Sequence, residues 1–260
     1  MARLEAPDFG SPNVVVDIAD HVLHLRINRP ERRNAFTQDM YRAIKRAAVW
    51  ADRQTELDAV CITGTDEWFG AGGDLARRTS DGVTGLDEEW DGTDQFPFRH
   101  IERCRKIWVA KVNGVCHAGG VDLCLHCDVT IASDRARFRV PELLRGLPDP
   151  MMAARLVATV GLAKARFMIF TAAELSAPQA EAVGLVGQVV AHDQLDERVE
   201  WALQQIRLTG PGARAMLKRD INAALPAHDM TMFSRLPTEE MMEGMNSFVE
   251  KRLPVWRSST

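Results

Sequence analysis

Near the start of the chain the apolar residues fall in two short β-like runs, Val14–Ile18 and Val22–Ile27, and the Ala19-Asp20-His21 step between them suits a hairpin. The period then changes. From Thr37, a good helix N-cap, residues Met40, Ala43, Ile44, Ala47 and Ala48 form one stripe and predict an amphipathic helix to about Ala51. A short apolar strand over Ala59–Thr63 ends at Gly64, and another over 107–112 ends at the turn pair Asn113-Gly114. A helix is expected around Phe98–Cys104, and strands over Asp128–Ala132 and Phe138–Val140. Helices should follow over about 151–159, 162–171 and 178–183, the last capped by Ser176 with Pro178 in its first turn. After a final strand over Val186–Val190 the pattern is almost wholly helical. Strands alternating with helices up to residue 190, then helices, imply an α/β core with a helical appendix. Two strand–glycine turn–helix units, 59–76 and 107–127, share one design, and each can aim backbone donors at the same small volume. Residues 79–95 are polar, acidic and weakly patterned, and read either as a loop or lid or as disorder.

The 260 residues allow one large domain or two, with 46% hydrophobic and 26% charged residues, ordinary for a globular protein with a sizeable core. A net charge of −4 carries no nucleic-acid footprint, so any anionic ligand needs local arginine or lysine. No run reaches transmembrane length and no apolar leader follows Met1, so a cytoplasmic protein without a membrane partner is expected. Its five cysteines (61, 104, 116, 124, 127) should be reduced there. Cys124, His126 and Cys127, with Cys116 and His117, invite a metal reading. No second Cys-x-x-Cys or His-x-x-x-His pair completes such a site, and the cysteines lie in an apolar run, so no metal is expected.

The chemistry concentrates where the 107–112 strand ends. Gly119-Gly120 opens a new segment with Asp122 just inside it, and Pro141-Glu142 follows twenty residues on. Paired glycines let backbone N–H groups approach a ligand, and a helix starting there presents free donors and a positive dipole end. A carboxylate one turn in and a second downstream are the parts needed to stabilise and protonate an enolate. The same turn reads equally as a tight strand-to-helix connection with a surface aspartate.

Several segments in register resemble the enoyl-CoA hydratase/isomerase (crotonase) superfamily. These are Asn28-Arg-Pro with Asn34-Ala35, Phe69-Gly-Ala-Gly-Gly-Asp-Leu75, Lys111-Val-Asn-Gly through Gly-Gly-Val-Asp-Leu123, and Cys127-Asp128. Phe138, Pro141-Glu142, Gly146, Ala182-Val-Gly-Leu-Val186 and Glu243 to Arg252 complete the set. The resemblance implies an α/β fold, a spiral of repeated ββα units. A core over 1–200 would bind acyl-CoA, and a helical region over 201–260 would pack subunits into a homotrimer or hexamer. It implies an acyl-CoA thioester as partner, with coenzyme A as part of the substrate and no other cofactor. It places the oxyanion-hole N–H groups at Gly73 and Gly119, and the acid/base carboxylates at Asp122 and Glu142. Coenzyme A contacts fall to Arg33, Ala35, Ala71, Asp74, Leu75 and Lys251, with Arg29, Arg32 and Arg252 as further cations for its phosphates and Phe248 beside Lys251.

Of the two carboxyls, Asp122 beside a helix N-terminus is expected to be ionised and Glu142 to carry the proton. The pattern departs from that of the hydratases twice. They usually carry Glu at position 122, whereas Gly-Gly-Val-Asp-Leu looks more like the dienoyl-CoA isomerases, which have a further acidic residue within one position of Asp149. Hydratases also carry a glycine-rich run where this chain has Leu147-Pro-Asp-Pro150, and Pro150 has no N–H to hold a water. The expected activity is enoyl-CoA hydration. An enoyl- or dienoyl-CoA isomerase using Asp122 and Glu142, or a non-catalytic CoA-thioester-binding protein, are the alternatives.

Overall fold

A computed structural model describes residues 4–74, 96–225 and 238–256. The expected hairpin is β1 (Val14–Ala19) with β2 (Val22–Ile27), antiparallel, and its turn residues Asp20 and His21 both take positive φ. Turns of that hand match the twist of the flanking strands. The striped helix is α1 (Gln38–Arg53), which buries Met40, Ala43, Ile44, Ala47, Ala48 and Ala51. β3 (Ala59–Thr63), β5 (Ile107–Val112), β7 (Val129–Ser133) and β10 (Gln188–Val190) join β2 in parallel, giving a six-stranded sheet ordered β1-β2-β3-β5-β7-β10. β10 is shorter than the apolar run Val186–Val190, because Val186 buries its side chain in the core ahead of the ladder.

Each of the three central strands is followed by a short strand of a second sheet. These are β4 (Trp68–Gly70), β6 (Val115–His117) and β8 (Arg137–Arg139), with β9 (Leu175–Ser176) antiparallel at the edge. Hydrophobic patterning anticipates β8 but not β4, β6 or β9, since two or three residues are too few to display a period of two. The chain thus winds as a spiral: β5 and β6 lead into α3 (Gly119–His126), and β7 and β8 lead through the turn at 142–145 into α4 (Pro150–Val160). α2 (Phe98–Arg103) precedes β5.

The corners of successive turns are fastened together. Gly64 and Gly114 stand at equivalent bends, and a Cβ on either would run into backbone, that of Trp68 and Phe69 for Gly64 and of Glu67 for Gly114. Asn113 accepts from the Gly64 N–H at 3.0 Å and donates to the Asp66 carbonyl at 2.8 Å. One turn earlier, fully buried Asn34 donates to the Trp68 carbonyl at 2.6 Å and accepts from the Arg29 N–H at 2.8 Å. Two asparagines therefore supply the backbone partners that bends in a buried spiral lack.

The large sheet is covered on both sides, as its nearly continuous apolar strands require. Along β3, Val60 and Ile62 face the main core, whereas Ala59 and Cys61 face a second cluster. That cluster is closed by Leu195, Val199, Ala202 and Leu203 of α7 (Leu195–Arg207). α5 (Leu162–Thr171) and α6 (Ala177–Ala182) complete the middle of the chain, and α8 (Pro211–Ala223) and α9 (Thr238–Val249) the C-terminal part. Among the described residues no helix is long and apolar enough to cross a membrane.

α8 is held by buried Lys218, whose Nζ donates to Asp128 Oδ2 at 2.6 Å and to the Lys106 carbonyl at 2.9 Å. The same carboxylate oxygen accepts the Trp108 N–H at 2.8 Å. Removing one partner of a buried pair strands the other charge at a cost of about 3 kcal/mol or more, whereas removing both is nearly neutral. Lys218→Met should therefore lose about 3 kcal/mol in urea unfolding, and the double change Lys218→Met with Asp128→Asn should recover most of it.

Candidate active site

The site grows from two glycine turns. After β4 the chain runs through Ala71, Gly72 (φ +89°) and Gly73, and forms an isolated parallel bridge with Phe36. The Phe36 N–H donates to the Gly72 carbonyl and the Asp74 N–H to the Phe36 carbonyl, both at 2.8 Å. In an extended segment alternate N–H groups point to opposite sides. The Gly73 N–H therefore faces away from Phe36, and no hydrogen bond among the described residues takes it.

After β6, Ala118 adopts φ 52°, ψ −125° and then α3 begins. A non-glycine residue at such angles stores strain of order 1–3 kcal/mol. The distortion aims the first turn of α3, with the Gly119 N–H unclaimed by the helix and Asp122 closing the turn onto the Ala118 carbonyl at 3.1 Å. The two turns touch. A Cβ on Gly72 would overlap the Ala118 methyl, one on Gly119 would overlap the Tyr41 hydroxyl, and one on Gly120 would sit 2.8 Å from the Gly70 carbonyl. Gly73 and Gly119, singled out separately in the sequence, are thus brought together.

Three carboxyl groups converge beside these donors. Asp122 is 1% exposed, on the buried face of α3. Glu142 opens the 3-10 turn after Pro141, with its Oε2 shut off from solvent. Asp149 is the N-cap of α4, accepting the Met152 N–H at 3.0 Å, and its carboxyl also hydrogen-bonds that of Asp122. Two carboxyls make such a bond only when one is protonated.

Burial foremost, then the charges of Asp149 and Glu142, pushes Asp122 well above the usual carboxylate range. Burial and Asp149 push Glu142 up to about 8. The expectation that the helix start would keep Asp122 ionised is therefore overturned. A helix terminus contributes about 0.3–1 kcal/mol to a nearby charge, whereas full burial shifts a carboxyl by several pH units.

Behind Asp122 lies a buried polar network that sequence reasoning missed. His126 Nδ1 lies 2.7 Å from the Asp122 carbonyl, and its Nε2 lies 3.5 Å from Glu102, which is ion-paired to buried Arg155. The only sequence signal was His126 within its cysteine cluster. Cys116 and Cys124 instead bring their sulfurs to 3.6 Å inside the core. Tyr41, Phe36, Phe96 and Phe98 form an aromatic wall next to Gly119, with the His126 ring stacked on Phe98 at 4.8 Å.

The remaining candidates scatter around this centre. Arg33 is exposed over the Trp68 ring at 5.3 Å, Arg32 is exposed, and Ala35 and Ala71 are half-buried beside the glycine turn. Asp74 is bound by Arg29 at 2.8 Å, so that guanidinium is not left facing solvent. Lys251 and Phe248 are exposed at the end of α9, while Arg252 forms a two-pronged pair with Glu243. Leu75 and the acidic 79–95 stretch lie outside the described residues.

Residues 17–259 match the family model described as enoyl-CoA hydratase/isomerase. Mevalonyl-coenzyme A hydratase of Aspergillus fumigatus is 34% identical over 92% of both chains. Crotonyl-CoA hydratase of Syntrophomonas wolfei is 30% identical over 92% of this chain and 96% of its own. Among solved structures, an enoyl-CoA hydratase from Mycobacterium avium subsp. paratuberculosis superposes with a TM-score of 0.82 at 27% identity, covering 95% of this chain and 99% of its own.

The raised Glu142 makes stability depend on pH in a defined direction. Between its unfolded value of 4.5 and about 8, the folded protein holds a proton that the unfolded chain has released. The resulting stabilisation is complete below the unfolded value and is lost as pH rises through the folded one, by at most about 1.4 kcal/mol per pH unit. Glu142→Gln should flatten the dependence of Tm on pH over that window and leave the variant more stable than the parent at pH 8.5, measured by thermal unfolding across a pH series.

Proposed function

The chain belongs to the enoyl-CoA hydratase/isomerase family, and from that premise we propose that it is an enoyl-CoA hydratase, adding water reversibly to a 2-enoyl-CoA thioester. The observation that carries the reading is the pair of backbone N–H groups, Gly73 and Gly119, that no described residue takes, on touching turns beside the buried Asp122 carboxyl. In this mechanism the two donors hold the thioester oxygen as it becomes an enolate oxyanion. They are fixed in advance and need no reorganisation as charge develops, and one such donor is worth about 3–4 kcal/mol of barrier.

The carboxyls divide the proton work. Glu142, protonated at neutral pH, delivers its proton to C2 of the enolate. The Asp122–Asp149 pair holds one proton between two groups and accepts a second from the water that attacks C3. Transfer of that proton back to Glu142, directly or through solvent, restores the starting state. The reaction so written calls for no cofactor beyond the coenzyme A of the substrate. The exposed cations Arg33 and Lys251 serve its phosphates, and Ala35 and Ala71 border its path. The exposed apolar side chains Phe167 and Phe170 on α5, and Met216, Leu217 and Ile221 on α8, support self-association into a homotrimer or hexamer through surfaces that include the 201–260 region. Five free cysteines fit a reducing, cytoplasmic setting.

One observation favours a second reading, isomerisation of an enoyl- or dienoyl-CoA. Asp149 takes the Met152 N–H and Pro150 has none, so of the first turn of α4 only the Met151 N–H is left to hold a water. A carboxyl pair facing an enolate also moves protons between carbons without any water.

The two are separated by offering 2-enoyl-, 3-enoyl- and 3,5-dienoyl-CoA and following hydroxyacyl product against double-bond migration in deuterium oxide. Hydration of the 2-enoyl substrate is the expected result, and migration without water addition would replace it by the isomerase reading. Glu142→Gln should lower kcat by about 100-fold or more, the usual range for a positioned acid or base. The rate of hydration should fall as pH rises through about 8, where Glu142 releases its proton.

A further inference from the structure

Arg29 belongs to the Asn-Arg-Pro step and stands among the arginines that a phosphate would attract. Its surroundings assign it other work. The side chain is only 14% exposed, and its Nη1 donates both to Asp74 Oδ2 at 2.8 Å and to the Ala35 carbonyl at 3.0 Å. Its own N–H is held by the Asn34 side chain, which in turn grips the Trp68 carbonyl at the head of β4. Ala35 and Asp74 each neighbour a member of the Phe36–Gly73 bridge. One guanidinium therefore spans the two strands of a bridge that is only one residue long, and ties both to the corner from which the glycine turn departs.

A single bridge is weak on its own. Gly72 and Gly73 lose more conformational freedom on ordering than any other residue type would, and Gly73 has no side chain to anchor it. Among the described residues nothing within 4 Å meets a Cβ built on Gly73, so their packing does not hold this residue. Its direction is set through its neighbours, and Arg29 holds the nearest one through Nη1 of a charged, planar group.

We propose that Arg29 is a positioning residue: by clamping the Asp74 carboxylate to the Ala35 carbonyl, it aims the Gly73 N–H at the thioester oxygen. This rests on the reading of Gly73 as an oxyanion donor. It also assigns Asp74 a part in that clamp, in place of a direct contact with coenzyme A.

The test compares Arg29→Met, Arg29→Lys and Asp74→Asn with the parent protein on a short 2-enoyl group carried by coenzyme A or by pantetheine, which lacks the nucleotide. A misplacement of about 1 Å costs on the order of 100-fold. Arg29→Met and Asp74→Asn should each lower kcat by about 10- to 100-fold on both carriers, with KM changed by less than about threefold. The double variant should be no worse than the single ones, since both break one clamp. Arg29→Lys keeps the charge and loses the planar, pre-organised donor, so it should recover part of the loss. It also serves as the readout should Arg29→Met fail to fold, which circular dichroism will show.

A second readout is independent of turnover. The infrared stretch of a 13C-labelled carbonyl in a bound saturated acyl-CoA should move to lower frequency in the parent protein and less far in the variants. A loss confined to the coenzyme A carrier and expressed in KM would make Arg29 a phosphate ligand and overturn the proposal. So would an unchanged carbonyl stretch and kcat in variants whose only defect is a lower Tm. If the parent protein binds thioesters but turns over none, the hydratase reading falls, and the carbonyl stretch still decides the role of Arg29.

Discussion

Two stretches of backbone approach so closely that no side chain fits between them, and the rest of the molecule is arranged around that contact. Gly72 lies against Ala118, Gly119 against the Tyr41 hydroxyl, and Gly120 against the Gly70 carbonyl. Glycines make the approach sterically possible, but they supply nothing that would hold it. The holding comes from the spiral, in which Asn34 and Asn113 fasten each corner to the next and the Phe36 bridge fixes the first turn from outside. Ala118 completes the device at a cost in backbone strain, carried at the one residue that joins β6 to α3.

The same dense packing governs the acids. Asp122 is buried and faces two further, half-buried carboxyls, so Asp122 and Glu142 keep protons where free aspartate and glutamate would have lost them. A cation facing the cluster would discharge it and lower these values. Instead, Arg155 is turned toward Glu102, and His126 lies between that pair and the backbone of α3. The charge that balances half-buried Glu102 is thus turned away from the carboxyls whose protons the chemistry needs.

Features that repeat or run long were legible in the sequence. The α1 stripe, the β1–β2 hairpin, the three parallel strands and the two glycine turns all follow from period and turn residues, and the motifs in register announced the fold. What escaped depends on contacts between distant segments. β4, β6 and β9 exist because neighbouring strands pair with them, not because their few residues prefer it. The Asp122–Asp149 contact requires α3 and α4 to pack, and the Arg29–Asp74 pair requires the first loop to lie on the second turn. The protonation of Asp122 escapes for a related reason: a helix start is visible in one dimension, and burial is not.

Glu142 sits on a turn interlocked with a helix from the far end of the chain. Gly146, just after that turn, has no room for a side chain beneath the Glu240 carbonyl, and Gly244 of α9 meets the Arg145 backbone in the same way. Phe248 of α9 lies against the Arg145 guanidinium at 4.3 Å. The turn that carries Glu142 therefore takes part of its support from a helix distant from it in sequence. A change that loosened α9 would thus reach the proton donor without touching either glycine turn.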